Sequence, residues 1–130
     1  MYSSVSKKKL LTCHEDLQKI FNAVDYIIEC TILEGHRDEN SQNEAFHRGL
    51  SKLQWPQSKH NTEPSLAVDA APYPIDWNDL KRFYYFAGVV KATAASLGFQ
   101  IRWGGDWNSN NNFKDENFND LVHFELVRGG

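Results

Sequence analysis

Cysteine is scarce in this chain. Cys13 and Cys30 stand alone, neither with a partner at Cys-x-x-Cys spacing. A disulfide framework and a sulfur-based zinc knuckle are therefore both unexpected, and the two thiols read as small buried hydrophobes. Long apolar runs are missing too. Nothing approaches the roughly 18 apolar residues of a membrane span, and no apolar segment follows the basic trio Lys7 to Lys9 as it would in a secretory signal. The expectation is no signal peptide and no stable membrane association. Nor is there an excess of positive charge: 14 Lys and Arg against 17 Asp and Glu leave a formal charge of -3. Phosphate neutralisation needs a dense basic face, so no nucleic acid is expected as a partner.

What is present suffices for one core. A hydrophobic fraction of 41% and an aromatic fraction of 13% are ordinary globular usage, and 130 residues predict a single domain over 1–130, acting as a monomer. Apolar residues fall at helical spacing from Ser4 to Cys13 and from His14 to Val24, the second with Leu17, Ile20, Phe21 and Val24 on one face and Thr12 as its cap. Tyr26 to Leu33, rich in β-branched and aromatic residues, predicts a buried strand that stops at Glu34-Gly35. Ser41 to Leu50 reads as helix, closing at Gly49.

Ser51 to Pro64 has no period and predicts an irregular loop, the kind of segment on which chemistry tends to sit. A short strand over Leu66 to Ala71 follows. Asp76 or Asn78 would then cap a long helix with Leu80, Phe83, Ala87, Val90, Ala94 and Leu97 as its apolar stripe and Gly98 as its end. Phe99 to Trp103 and Leu121 to Val127 predict strands, separated by a Gly/Asn/Asp-rich loop from Gly104 to Asn119. The class is α+β, a small, largely antiparallel sheet with flanking helices.

Two of the five histidines stand out. His14 and His47 fit solvated helix surfaces. His60 precedes the strand that carries Asp69 in Ala67-Val68-Asp69, and His123 sits in Asp120-Leu121-Val122-His123-Phe124-Glu125. Two neutral imidazoles and one carboxylate form a three-ligand set that leaves a fourth zinc position for water. By chemistry alone, other choices among the histidines and carboxylates remain open.

The order Ser-x-His, Ala-x-Asp and a late Asp-x-x-His followed by Phe-Glu resembles the zinc peptidases that include the D-Ala-D-Ala dipeptidases and carboxypeptidases and the phage L-alanyl-D-glutamate endopeptidases. The likeness extends from about Glu34 to Val127 and implies the fold shared with hedgehog signalling domains. It implies that His60, Asp69 and His123 hold Zn2+ and that Asp120 is the catalytic base. Gly35-His36-Arg37 with Gln42 also matches, which implies that Arg37 faces the developing oxyanion or a substrate carboxylate. Arg102-Trp103-Gly104-Gly105-Asp106-Trp107 looks like the phage branch. Two departures occur: the segment from His60 to Asp69 is longer than usual and contains Pro64, and Leu121 stands where the dipeptidase branch has its base. Strand alternation points Glu125 to the same face as His123, as a supporting partner or alternative acid, and Trp103 and Trp107 are candidate groove walls.

The function implied is a phage endolysin that cuts the L-alanyl-D-glutamate bond of the peptidoglycan stem peptide, made in the host cytoplasm and reaching the wall after membrane permeabilisation. The rivals are a D-Ala-D-Ala carboxypeptidase or dipeptidase and a zinc-holding module without catalysis.

Overall fold

The computed structural model describes residues 1–111 and 120–127. Its first helices are α1 (Ser4–Leu11) and α2 (Glu15–Asp25). Thr12 closes α1 rather than opening α2, and the cap of α2 is His14, whose Nδ1 accepts the Asp16 N–H at 3.0 Å. An imidazole nitrogen serves an orphan N–H here as a hydroxyl would. The apolar residues of α2 at positions 17, 20, 21 and 24 are all buried.

Strand β1 spans Cys30–Glu34, shorter than the stretch from Tyr26. The N–H groups of Tyr26, Ile27 and Ile28 still bond back to α2 carbonyls, which leaves Tyr26 and Ile27 in solvent. Helix α3 (Glu39–His47), capped by the Asp38 carboxylate, is followed by Gly49 at φ +76°. The segment after it is irregular except for a 3-10 turn at Lys59–Asn61. Strand β2 is Ala67–Pro72 and helix α4 is Leu80–Ser96. Neither Asp76 nor Asn78 caps α4: the N-cap is Asp79, without a side-chain bond, and the Asp76 carboxylate accepts the Asn78 N–H in the turn before it. The stripe of α4 is Phe83, Phe86, Ala87, Val90, Thr93 and Ala94; Leu80 and Leu97, at its two ends, are exposed. Strands β3 (Ile101–Gly104) and β4 (Asp120–Leu126) are the last elements described, and His123 lies in the middle of β4. The predicted loop from Gly104 falls partly on residues 112–119, outside the described residues.

The four strands pair antiparallel in the order β1-β2-β4-β3. Alternation divides each strand between two faces. Ile32, Val68, Ala70, Phe124, Leu126, Ile101 and Trp103 join the core with the helices, and Phe124 meets Phe21 and Phe86 edge-on at 5.7 and 6.0 Å. By the same parity Asp69, His123, Glu125 and Arg102 occupy the face turned away from α2 and α4. Both cysteines are free and buried, and burial pushes their thiols up, to about 12 for Cys13 and about 11 for Cys30. Among the described residues no helix is long and apolar enough to cross a membrane.

Candidate metal centre and active site

Three separate stretches of chain deliver the predicted ligands. Asp69 and His123 are register partners across β2 and β4, so sheet pairing alone sets them side by side. His60 arrives from the loop. Its turn is locked by a capping box, with His60 N–H donating to Ser58 Oγ at 3.2 Å and Ser58 N–H to Asn61 Oδ1 at 3.0 Å.

The hydrogen bonds fix which nitrogen of each imidazole is available. Nδ1 of His60 lies 2.7 Å from the Gly35 carbonyl, which can only accept, so Nδ1 carries a proton and Nε2 is the nitrogen it could turn to a metal. Nε2 of His123 lies 2.9 Å from Glu125 Oε1, so Nδ1 is the nitrogen it could turn to a metal. Both of these nitrogens face one oxygen, Asp69 Oδ1, at 3.1 and 3.2 Å. Such an approach to a carboxylate oxygen is favourable when a proton on the imidazole, or a cation between the three atoms, supplies the positive charge. The ligand atoms of a tetrahedral zinc stand about 3.3 Å apart, and the three ligand-type atoms here all lie within 4.8 Å of one another. The trio is a possible metal site, compatible with zinc.

Its electrostatics agree. Burial works against the charge of Asp69, yet His60 and His123 hold its carboxyl far below the usual carboxylate range. Burial likewise opposes protonation of His123, but Asp69 and Glu125 outweigh it and push the imidazole up to about 9. A positive charge is thus favoured at this point. Glu125 is kept ionised against its own burial by His123 and by Lys59, whose Nζ is 3.1 Å from Oε2, with Arg102 at 3.6 Å.

Asp120 opens β4 opposite Gly104, where any side chain would collide with the Asp120 backbone. It lines a cavity of about 370 Å³ together with His60, Asp69, His123, Arg37 and Trp107. Burial, reinforced by Asp69, raises its carboxyl, which strengthens it as a proton acceptor.

A family model described as phage L-alanyl-D-glutamate peptidase matches residues 1–127. The chain belongs to that family. It is 34% identical over 131 residues to the L-alanyl-D-glutamate peptidase of Escherichia phage T5, covering 94% of each protein. In fold it is similar to the Serratia marcescens L-Ala D-Glu endopeptidase ChiX, with a TM-score of 0.77 at 23% identity over 98% of this chain and 90% of that one.

In this member of the phage L-alanyl-D-glutamate peptidase family, a peptidase by that kinship, Arg37 borders the cavity with its fork already engaged. Nε and Nη2 donate to the two Glu34 oxygens at 2.9 and 2.8 Å, Nη1 donates to Gln42 at 2.8 Å, and Nη2 is 3.8 Å from Asp69 Oδ2. Buried Gln42 in turn donates to Ser51 Oγ and the Leu53 carbonyl, tying the cavity rim to α3. Trp103 is a core residue rather than a groove wall: its indole N–H donates to the Leu121 carbonyl and Tyr84 meets its ring edge-on. Trp107 does reach the site, its ring centroid 5.3 Å from that of His123. The Asn108 to Asn112 run begins as a turn held by buried Asp106, which accepts from the Asn110 and Asn111 N–H groups; Asn112 lies outside the described residues.

Sequence reading missed Glu34 as the partner of Arg37, the Gly35 carbonyl under His60, and Lys59 with Arg102 around Glu125. Only Ser58-Lys59-His60-Asn61 carried a local signal, as a capping-box pattern with Asn at its last position.

Proposed function

We propose that this protein hydrolyses the L-alanyl-D-glutamate bond of peptidoglycan stem peptides, using a zinc ion held by His60, Asp69 and His123 and a proton acceptor at Asp120. The observation that carries the reading is the pair of imidazoles whose outer nitrogens are occupied by the Gly35 carbonyl and Glu125, leaving both inner nitrogens converged on Asp69 Oδ1. When bound there, zinc would polarise the scissile carbonyl and make a water molecule acidic near neutral pH. Asp120, raised by burial beside Asp69, takes the proton of the attacking water and returns it to the leaving amine. Gly35 and Glu125 hold the imidazoles in the tautomers that chelation needs. Arg37 holds the outer oxygen of Asp69 and lends positive charge to the cavity wall, acting through its field since its fork is committed to Glu34 and Gln42. The protein acts as a monomer, is made in the host cytoplasm, and meets the wall once the membrane has been permeabilised.

Digestion of purified peptidoglycan, followed by mass spectrometry of the fragments, tests the reading. New amino termini on D-glutamate are expected. Release of free D-alanine would point instead to carboxypeptidase or dipeptidase action, and an undigested wall in the presence of zinc would leave a metal-holding module without catalysis.

A further inference from the structure

The metal cavity is not the only recess that Asp120 borders. A second cleft, of about 240 Å³, is lined by Trp77, Leu80, Phe83, Leu121 and Val122 together with Asp120. Among the described residues Asp120 alone lines both, so the proposed base stands where the two recesses approach each other. The two recesses differ in character. Around the metal cavity Arg37, Lys52, Lys59 and Arg102 stand with Asp69, Asp120 and Glu125, a set that a bound divalent metal would leave net positive. Around the second, Asp120 is the only charged residue described, and the walls are otherwise apolar and aromatic.

Trp77 gives the cleft a particular shape. Its indole lies parallel to buried Phe83, with centroids 5.6 Å apart and planes 15° from each other. One face is therefore backed by the core, while the residue as a whole is 59% exposed. A large aromatic plane fixed from behind and open in front is costly to leave in water, and its electron-rich face suits the polarised C–H groups of a pyranose ring.

We propose that this cleft is a subsite for the N-acetylated amino sugar that carries the stem peptide, with Trp77 as its stacking platform. The inference rests on the cleavage reading above and gives the substrate its direction. On one side of the scissile bond, L-alanine is joined through an uncharged lactyl amide to the sugar. On the other side, D-glutamate keeps its α-carboxylate, and further carboxylates follow. Lys59 and Arg102 are paired with Glu125, yet the balance of the cavity with a divalent metal bound is positive, which draws the acidic half there and leaves the uncharged sugar half for the aromatic cleft beyond Asp120. The enzyme would then read the point where peptide meets glycan, and not the dipeptide alone.

The test compares two substrates on the zinc-loaded protein: a stem peptide still linked to its amino sugar, and the same peptide free. The parent is expected to prefer the linked substrate in kcat/KM by about tenfold, the order of one aromatic contact. Trp77→Ala should bring the ratio close to one, and Trp77→Phe, which keeps a ring on Phe83, should retain part of it. Saturation-transfer NMR with N-acetylmuramyl-L-alanine supplies a readout without catalysis, and the sugar ring protons should lose their signal in Trp77→Ala. A ratio that Trp77→Ala leaves unchanged, with no transfer to the sugar ring in the parent, overturns the subsite while cleavage stands. Transfer that depends on Trp77, with neither substrate cut, upholds the subsite and sinks the cleavage reading.

Discussion

Asp120 and Arg37 both border the cavity, and their surroundings give them different tasks. Asp120 is absent from the trio of ligand-type atoms, and its carboxyl is raised by burial and by Asp69. Asp120→Asn keeps the size and removes the basicity. General-base catalysis is commonly worth about 10²- to 10⁴-fold, so peptidoglycan hydrolysis should fall at least 100-fold, with zinc content and melting temperature near those of the parent. Loss of zinc together with activity would instead make Asp120 a ligand. Arg37 makes a two-pronged pair with Glu34 and a third bond to Gln42, a geometry that a lysine ammonium does not reproduce. Arg37→Lys should lower kcat roughly 100-fold, about 2.7 kcal/mol, and stability by only about 1 kcal/mol, as measured by kinetics and urea unfolding. Equal losses would make the arginine purely structural.

At the scale of the element, β4 carries core and site on alternate residues. Phe124 packs on Phe21 and Phe86, while His123 and Glu125 turn to the open face. Glu125 anchors the outer nitrogen of His123 and is itself anchored by Lys59 and Arg102. Partners of this kind are commonly worth about 10- to 100-fold in metal affinity. Glu125→Gln should therefore weaken zinc binding by about tenfold in competition with a chromogenic chelator; unchanged affinity would leave Glu125 as a surface ion pair. The other anchor depends on the packing of α1. A side chain at Gly35 would collide with Thr12 Oγ1 and the Lys9 carbonyl, so Gly35→Ala must shift the carbonyl that orients His60. The expected result is a loss of about 1–3 kcal/mol in stability and weaker zinc binding in the same variant. Full zinc affinity in Gly35→Ala would mean that the carbonyl is not needed.

The whole molecule is held together at the site by groups far apart in sequence, and a bound metal would join them. Binding restricted to the folded state stabilises by about 2.7 kcal/mol when free ligand is 100 times its dissociation constant. For a chain of this size, chelation should lower the melting temperature by roughly 10 °C. A melting curve that does not respond to chelator would argue against an ordered metal site, and the double variant His60→Ala, His123→Ala should show no such response.

Local chemistry in the chain already determined much of this. The period of 3.6 in α2 and α4, the β-branched run of β1 and the alternation in β4 act over a few residues, so helices, strands, the α+β class and the shared face of His123 and Glu125 were legible. The trio of His60, Asp69 and His123 could be picked out only through its order in the chain, because residue types alone allowed other choices. Boundaries set by competition were not legible. Tyr26 to Ile28 have strand character, yet their N–H groups stay bonded to the end of α2, and His14 took the cap expected of Thr12. Tertiary structure decided the rest. Sheet register set Asp69 opposite His123, the return of the loop brought His60 Nδ1 to the Gly35 carbonyl, and the turn after β1 gave Arg37 to Glu34. It also sent Trp103 into the core and Trp107 to the site. Each of these outcomes joins groups whose meeting depends on chain closure and packing across the molecule, and no local propensity encodes that.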